Sequence, residues 1–137
     1  MLKTSLKIGL QCLLIFGFVL NIYGQDVVIE EVRPEIEAIA ERMAEGEMFT
    51  GRSIGYSAVT SPQWIAFKEL KEVALEEELI LLTDHKSPAV RCYAFQVLVD
   101  KQSENTFEIL KKHLKERASV ETMHGCIVMR EMVGDVL

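Results

Sequence analysis

The stretch SPAVRCYAFQVLVDK, Ser87 to Lys101, decides how the rest of the chain is read. Ser87 followed by Pro88 is a helix start, the serine as N-cap and the proline at the first helical position, where its missing N–H costs nothing. From Pro88 to about Lys101 the segment is apolar almost all round. Val90, Ala94, Val97 and Leu98 form one face, Cys92, Phe95 and Val99 much of the other, and only Arg91, Gln96, Asp100 and Lys101 are clearly polar. A helix with that distribution is buried on most sides and needs neighbours on two flanks.

Outward from it, the pattern predicts more helices. Ser61-Pro62 repeats the cap, and Trp64, Phe67, Leu70, Val73 and Ala74 follow as a helical stripe that places Trp64 in the core. Leu75 to Thr83 is another stripe, with Glu76, Glu77 and Glu78 favourably placed at a helix N-terminus. Asp84-His85-Lys86 is the turn before Ser87. Asn105 or Thr106 caps a helix through Phe107, Ile109, Leu110 and Leu114, and a last helix carries Val120, Met123, Ile127, Val128, Met132 and Val133. Setting Val90 on Val120 and Ile80 on Leu110 gives a period of about 30, within the range of repeat architectures. Upstream, Ile36, Ile39, Ala40 and Met43 give an amphipathic helix over about 34–46. Met48 to Thr60, broken by Gly51 and Gly55, reads as a long loop, and long ordered loops often carry function.

The run Leu79-Ile80-Leu81-Leu82-Thr83-Asp84, then Ser87-Pro88-Ala89-Val90-Arg91, Ala94 and Leu98, resembles a HEAT-type helical repeat. The resemblance is good over Leu75–Lys101, fair over Asn105–Val133, and weak before Ser61. The second copy departs from it, with Glu121 in the place of the arginine and His124 in that of the small alanine. The resemblance implies an all-α fold, a short α-solenoid of helix pairs in a right-handed stack. Asp84, Pro88, Val90, Arg91, Ala94 and Leu98 are then its structural residues, with Arg91 paired to Asp84. Such folds are mostly binding platforms, an analogy from fold alone.

The N-terminus adds a compartment. Lys3 and Lys7 precede an apolar run, Ile8 to Val19, and Gly24 lies just before the first acid, Asp26. That is the layout of a secretory signal peptide over 1–24, cleaved near Gly24. The run is shorter than the ~20 residues that span a bilayer, and a retained anchor is the alternative. The expected organisation is leader 1–24, helix plus glycine-containing loop 25–60, and helical repeats 61–137. The protein is expected in the periplasm or outside the cell, free of the membrane after cleavage.

Loss of the leader removes two lysines and no acid, taking the formal net charge from −6 to −8. Such a chain lacks the basic patch that nucleic acid or anionic lipid requires, and its acidity suits a basic protein partner. Cys92 and Cys126 remain after processing, and an even count permits one disulfide or two buried thiols. The histidines His85, His113 and His124 do not converge with the cysteines at metal-ligand spacings, so neither metal nor cofactor is expected. The candidate binding residues are Arg52 and Tyr56, in the glycine-containing loop, and His85 in the turn. The function these readings suggest is an exported helical-repeat protein acting as a protein-binding or scaffold module. The alternative is a cysteine/histidine-dependent enzyme of the cell envelope, with Cys126 as nucleophile and His124 its nearest base.

Overall fold

A computed structural model describes residues 30–137, so the leader lies outside the described residues. The segment Ser87–Lys101 forms its central helix. We number the elements in chain order: α1 Pro34–Glu45, β1 Met48–Ile54, β2 Val59–Thr60, α2 Pro62–Val73, α3 Glu76–Leu82, α4 Pro88–Asp100, α5 Thr106–His113, β3 Ser119–Gly125, β4 Ile127–Met132 and α6 Val133–Val136. In α4, Val90, Ala94, Val97 and Leu98 are fully buried, and Cys92, Tyr93 and Phe95 nearly so. All but Cys92 meet Ile36, Ile39 and Met43 of α1, Phe67 and Leu70 of α2, Leu79 and Leu82 of α3 and Ile109 of α5 in one core. A second cluster, Ala89, Cys92, Val120 and Val133, joins α4 to β3 and α6. No helix among the described residues is long and apolar enough to cross a membrane.

The architecture corrects the expectation of an all-α solenoid. Four strands form one sheet in the order β2-β1-β3-β4, and the helices are packed with it as a mixed α/β domain. Met48–Thr60 is a β-hairpin rather than a loop, with Ser53 opposite Thr60 and Ile54 opposite Val59. Val120–Met132, read as a helix, is a second hairpin pairing Val120 with Glu131, Thr122 with Met129 and His124 with Ile127. The physical reason lies in the alternation: Val120 and Thr122 are buried while Ser119 is exposed and Glu121 only partly covered, a period of two. Gly125, at φ 61°, opens the tight turn between β3 and β4, where a positive φ at the first central position favours glycine. β1 and β3 run parallel, Met48 opposite Glu121 and Phe49 opposite Thr122, with α2 to α5 as the crossover. The sheet therefore joins residues on both sides of position 60.

Three polar devices hold the layers together. Glu78, fully buried, accepts from Arg33 Nε at 2.7 Å, Arg33 Nη2 at 2.8 Å and the Leu75 N–H at 2.9 Å. The Arg33 guanidinium holds this carboxyl down at about 2, with the backbone donors assisting against burial. On the other side, the Tyr93 hydroxyl of α4 accepts from the Thr50 N–H at 2.7 Å and lies within reach of the Thr50 and Met48 carbonyls. It caps β1 at a point its short partner β2 does not reach. Third, Arg91 donates from Nη1 to the carbonyls of His85 at 2.5 Å and Lys86 at 3.2 Å, and from Nη2 to Glu116. The expected Arg91–Asp84 pair is thus replaced. Asp84 binds Lys112 of α5 instead, because Arg91 reaches back over the turn carbonyls to the α5–β3 connection. The close return of α6 to that connection requires Gly134, where a Cβ would stand 2.8 Å from the Leu114 carbonyl oxygen.

Candidate functional site

A cleft of about 280 Å³ opens where the sheet meets α2 and α4. β1 contributes Phe49, Thr50 and Gly51, α2 contributes Trp64 and Phe67, α4 contributes Tyr93, Gln96 and Asp100, and β3 contributes His124. The aromatic positions follow from element geometry. Trp64 and Phe67 are three apart on α2 and share a face, as Tyr93 and Gln96 do on α4. Phe49 and Gly51 alternate onto one face of β1. The rings are in contact: Phe49 to Tyr93 at 4.7 Å between centroids, Trp64 to Phe67 at 4.9 Å, Phe67 to Tyr93 at 5.9 Å. These separations lie in the favourable range for tilted aromatic pairs. Phe67 and Tyr93 are buried, whereas Trp64 and Phe49 remain half-buried and keep surface toward the opening. Gly51 leaves its side of the cleft empty, since a Cβ there would meet nothing within 4 Å.

The polar groups divide into spent and available. The hydroxyls of Tyr93, Thr50 and Ser61 satisfy one another, Thr50 Oγ1 lying 2.5 Å from Ser61 Oγ and 3.1 Å from the Tyr93 hydroxyl. Burial pushes the Tyr93 phenol up, so it stays neutral and serves the fold. At the rim, Asp100 accepts from Lys71 Nζ at 2.7 Å and Gln96 Nε2 at 2.9 Å. The Lys71 ammonium holds its carboxyl below the usual range, with Gln96 adding to the effect, so Asp100 is an anion. His124 is exposed at the open end.

Other polar clusters are organised differently. A larger depression of about 460 Å³ is lined by Lys86, Ser87, Ser119, Glu121 and Arg130 among others, without an aromatic ring. Its cations are already paired, Lys86 with Glu41 at 2.7 Å and Arg130 with Glu121 at 2.9 Å. Glu37, Glu41 and His85 bring ligand-type atoms within 4.8 Å of one another. However, the Ser87 N–H donates to His85 Nδ1 at 3.1 Å, which places the ring proton on Nε2. His85 therefore turns an N–H toward Glu37, 3.5 Å away, and offers no lone pair to a metal there. His113 is buried, with Nδ1 2.6 Å from Glu116 and Nε2 3.5 Å from Asp84.

Of the candidate binding residues, Tyr56 is fully exposed in the β1–β2 turn and Arg52 is exposed on β1. His85 is half-buried in the α3–α4 turn, part of the polar framework rather than of the hairpin surface. Pro88, Val90, Ala94 and Leu98 take the helical places expected of them in α4, three of them fully buried. Cys92 and Cys126 are both free. Their bridging required adjacent helices, and Cys126 instead sits exposed in the β3–β4 turn. Burial pushes the Cys92 thiol up to about 12, leaving it an unreactive core group. Sequence reasoning missed Phe49, Gly51, Gln96 and Asp100 as neighbours of Trp64. The signal available was the alternation Phe49-x-Gly51-x-Ser53 inside the supposed loop. No protein family, no curated protein and no solved structure matches this chain.

Proposed function

We propose that the protein is a binding module that receives a small apolar or aromatic group, free or carried on a partner, in the cleft beside Trp64. The reading rests on one observation: four aromatic side chains converge there and the strand opposite carries glycine, so the space is left open. Pockets that hold small ligands are lined mainly by apolar and aromatic groups, with a few polar groups that fix orientation. Export is part of the same proposal, supported by the residue pattern of 1–24. A protein partner presenting such a group would satisfy the scaffold role as well.

Trp64 is the only tryptophan in the chain, so intrinsic fluorescence reports on the cleft directly. Titration with small arenes is expected to give a saturable change in Trp64 emission. Gly51→Leu, whose Cβ meets no neighbour within 4 Å, should abolish it while leaving the far-ultraviolet circular dichroism unchanged. Absence of any saturable response up to millimolar ligand would sink the proposal.

A further inference from the structure

The cleft keeps acceptors and few donors: only the Trp64 indole N–H and the His124 ring, both on its walls, have no hydrogen-bond partner among the described residues. Its hydroxyl and backbone donors are used within the fold: the Thr50 N–H is held by Tyr93, and the Thr50, Tyr93 and Ser61 hydroxyls by one another. Its acceptors are not. Asp100 receives two hydrogen bonds, about half of what a carboxylate can accept. Gln96 donates its Nε2 to Asp100, while its Oε1 accepts nothing from the described residues. The nearby ammonium, Lys71, gives one of its three donors to Asp100. The walls add to this polarity, because the face of an aromatic ring is its negative side and attracts cations. The chain as a whole carries a formal charge of −6, which favours the approach of cations over anions.

We infer that the cleft selects ligands with an ammonium or guanidinium head on an apolar or aromatic body, an inference that rests on the cleft being the binding site. The body lies against Trp64 and Phe49, and the head meets Asp100 and Gln96 at the rim. A free arylalkylamine and a lysine or arginine side chain of a basic partner share this chemistry. An anion of the same shape meets the Asp100 carboxylate and the ring faces, offset only by the Trp64 indole N–H, the His124 ring and the remaining donors of Lys71, and a neutral isostere loses the charge contribution.

The test uses three probes of matched shape: 2-phenylethylammonium, 2-phenylethanol and 3-phenylpropionate, each titrated against Trp64 fluorescence at low salt. The cation is expected to bind about 5–10-fold more tightly than the alcohol, as one exposed cation–π contact plus an ion contact would give. The anion should bind weakest. Asp100→Asn should bring cation and alcohol to within about twofold, and Lys71→Met, which leaves Asp100 to the ligand alone, should widen the gap. The second variant keeps the test decisive if the first fails to fold. Nα-acetyl-lysine methylamide forms a further arm: tighter binding than phenylethylammonium assigns the site to a partner side chain, weaker binding to a free amine. Equal binding of the three probes would overturn the charge selectivity and leave the cleft as a binding site. Saturation by none of them would overturn both.

Discussion

Val120 on β3 is 2% exposed, whereas Val128, on the neighbouring strand β4, is 50% exposed. The same contrast separates two whole regions. In α4, nine of 13 residues are buried, including an arginine whose guanidinium finds three acceptors. In β4, Ile127, Val128, Met129 and Met132 are all exposed, and the strand forms one edge of the sheet. The helical layer pairs most of the polar groups it hides, leaving His85 Nε2, Arg91 Nε and His113 Nε2 without a hydrogen-bond partner among the described residues. The outer strand of the terminal hairpin leaves its apolar groups in solvent, with Arg130 and Glu131 drawn back to Glu121 and Thr122 of β3. Stability therefore resides in the helical side and its link to β1, and the hairpin's outer strand contributes little.

The largest effect that sharpens this contrast lies at Glu78. Glu78→Ala leaves the Leu75 N–H and the Arg33 guanidinium without their common partner, and about 2–3 kcal/mol of stability should be lost in chemical denaturation, the exposure of Arg33 keeping the loss below that of a fully buried pair. The same carboxylate sets an acid limit. Its folded pKa of about 2 lies below the ordinary 4.5, so its contribution is full above about 4.5 and is lost as pH falls toward 2. Arg33 is 43% exposed, so solvent screening reduces the contribution to about 2 kcal/mol. Glu78→Gln should unfold with a flatter pH dependence between 5 and 2; an unchanged profile would remove Glu78 from the account.

Tyr93→Phe comes next. It keeps the ring contacts with Phe49 and Phe67 but strips the cap from Thr50, at a cost of about 1–2 kcal/mol. Hydrogen exchange should show the Thr50 amide losing protection before any amide of α4. The smallest effect is expected at Val128→Lys, within about 0.5 kcal/mol of the parent in thermal unfolding. A large loss there would mean that β4 is covered and that the contrast is wrong.

How far the sequence discloses this arrangement depends on the range of the interaction. Local chemistry is legible: Ser61 caps α2 by accepting the Trp64 N–H at 3.3 Å, and Ser87-Pro88 opens a helix that ends at Asp100. The period of about 30 residues was misleading, because Val90 stands in a helix and Val120 in a strand. Six apolar residues between 120 and 133 fit a helical spacing, yet Gly125 in the middle of that run is a turn signal that outweighs it. Glu78 reads as one of three acids at a helix N-terminus, since nothing near it in sequence announces Arg33, 45 positions away. The cleft was illegible for the same reason, its walls coming from four elements that only the β1–β3 pairing and the packing of α4 bring together.

That parallel pairing has a consequence in time. Met48 finds its partner at Glu121, more than 70 residues later, after all four crossover helices. Contacts of such separation close slowly, because the chain entropy of the loop is lost before the strand bonds form. On a ribosome adding roughly 5–20 residues per second, β1 waits on the order of 4–15 s for β3 to be made. During that interval the Met48–Thr50 segment presents an unpaired edge, and whatever holds the nascent chain must cover it.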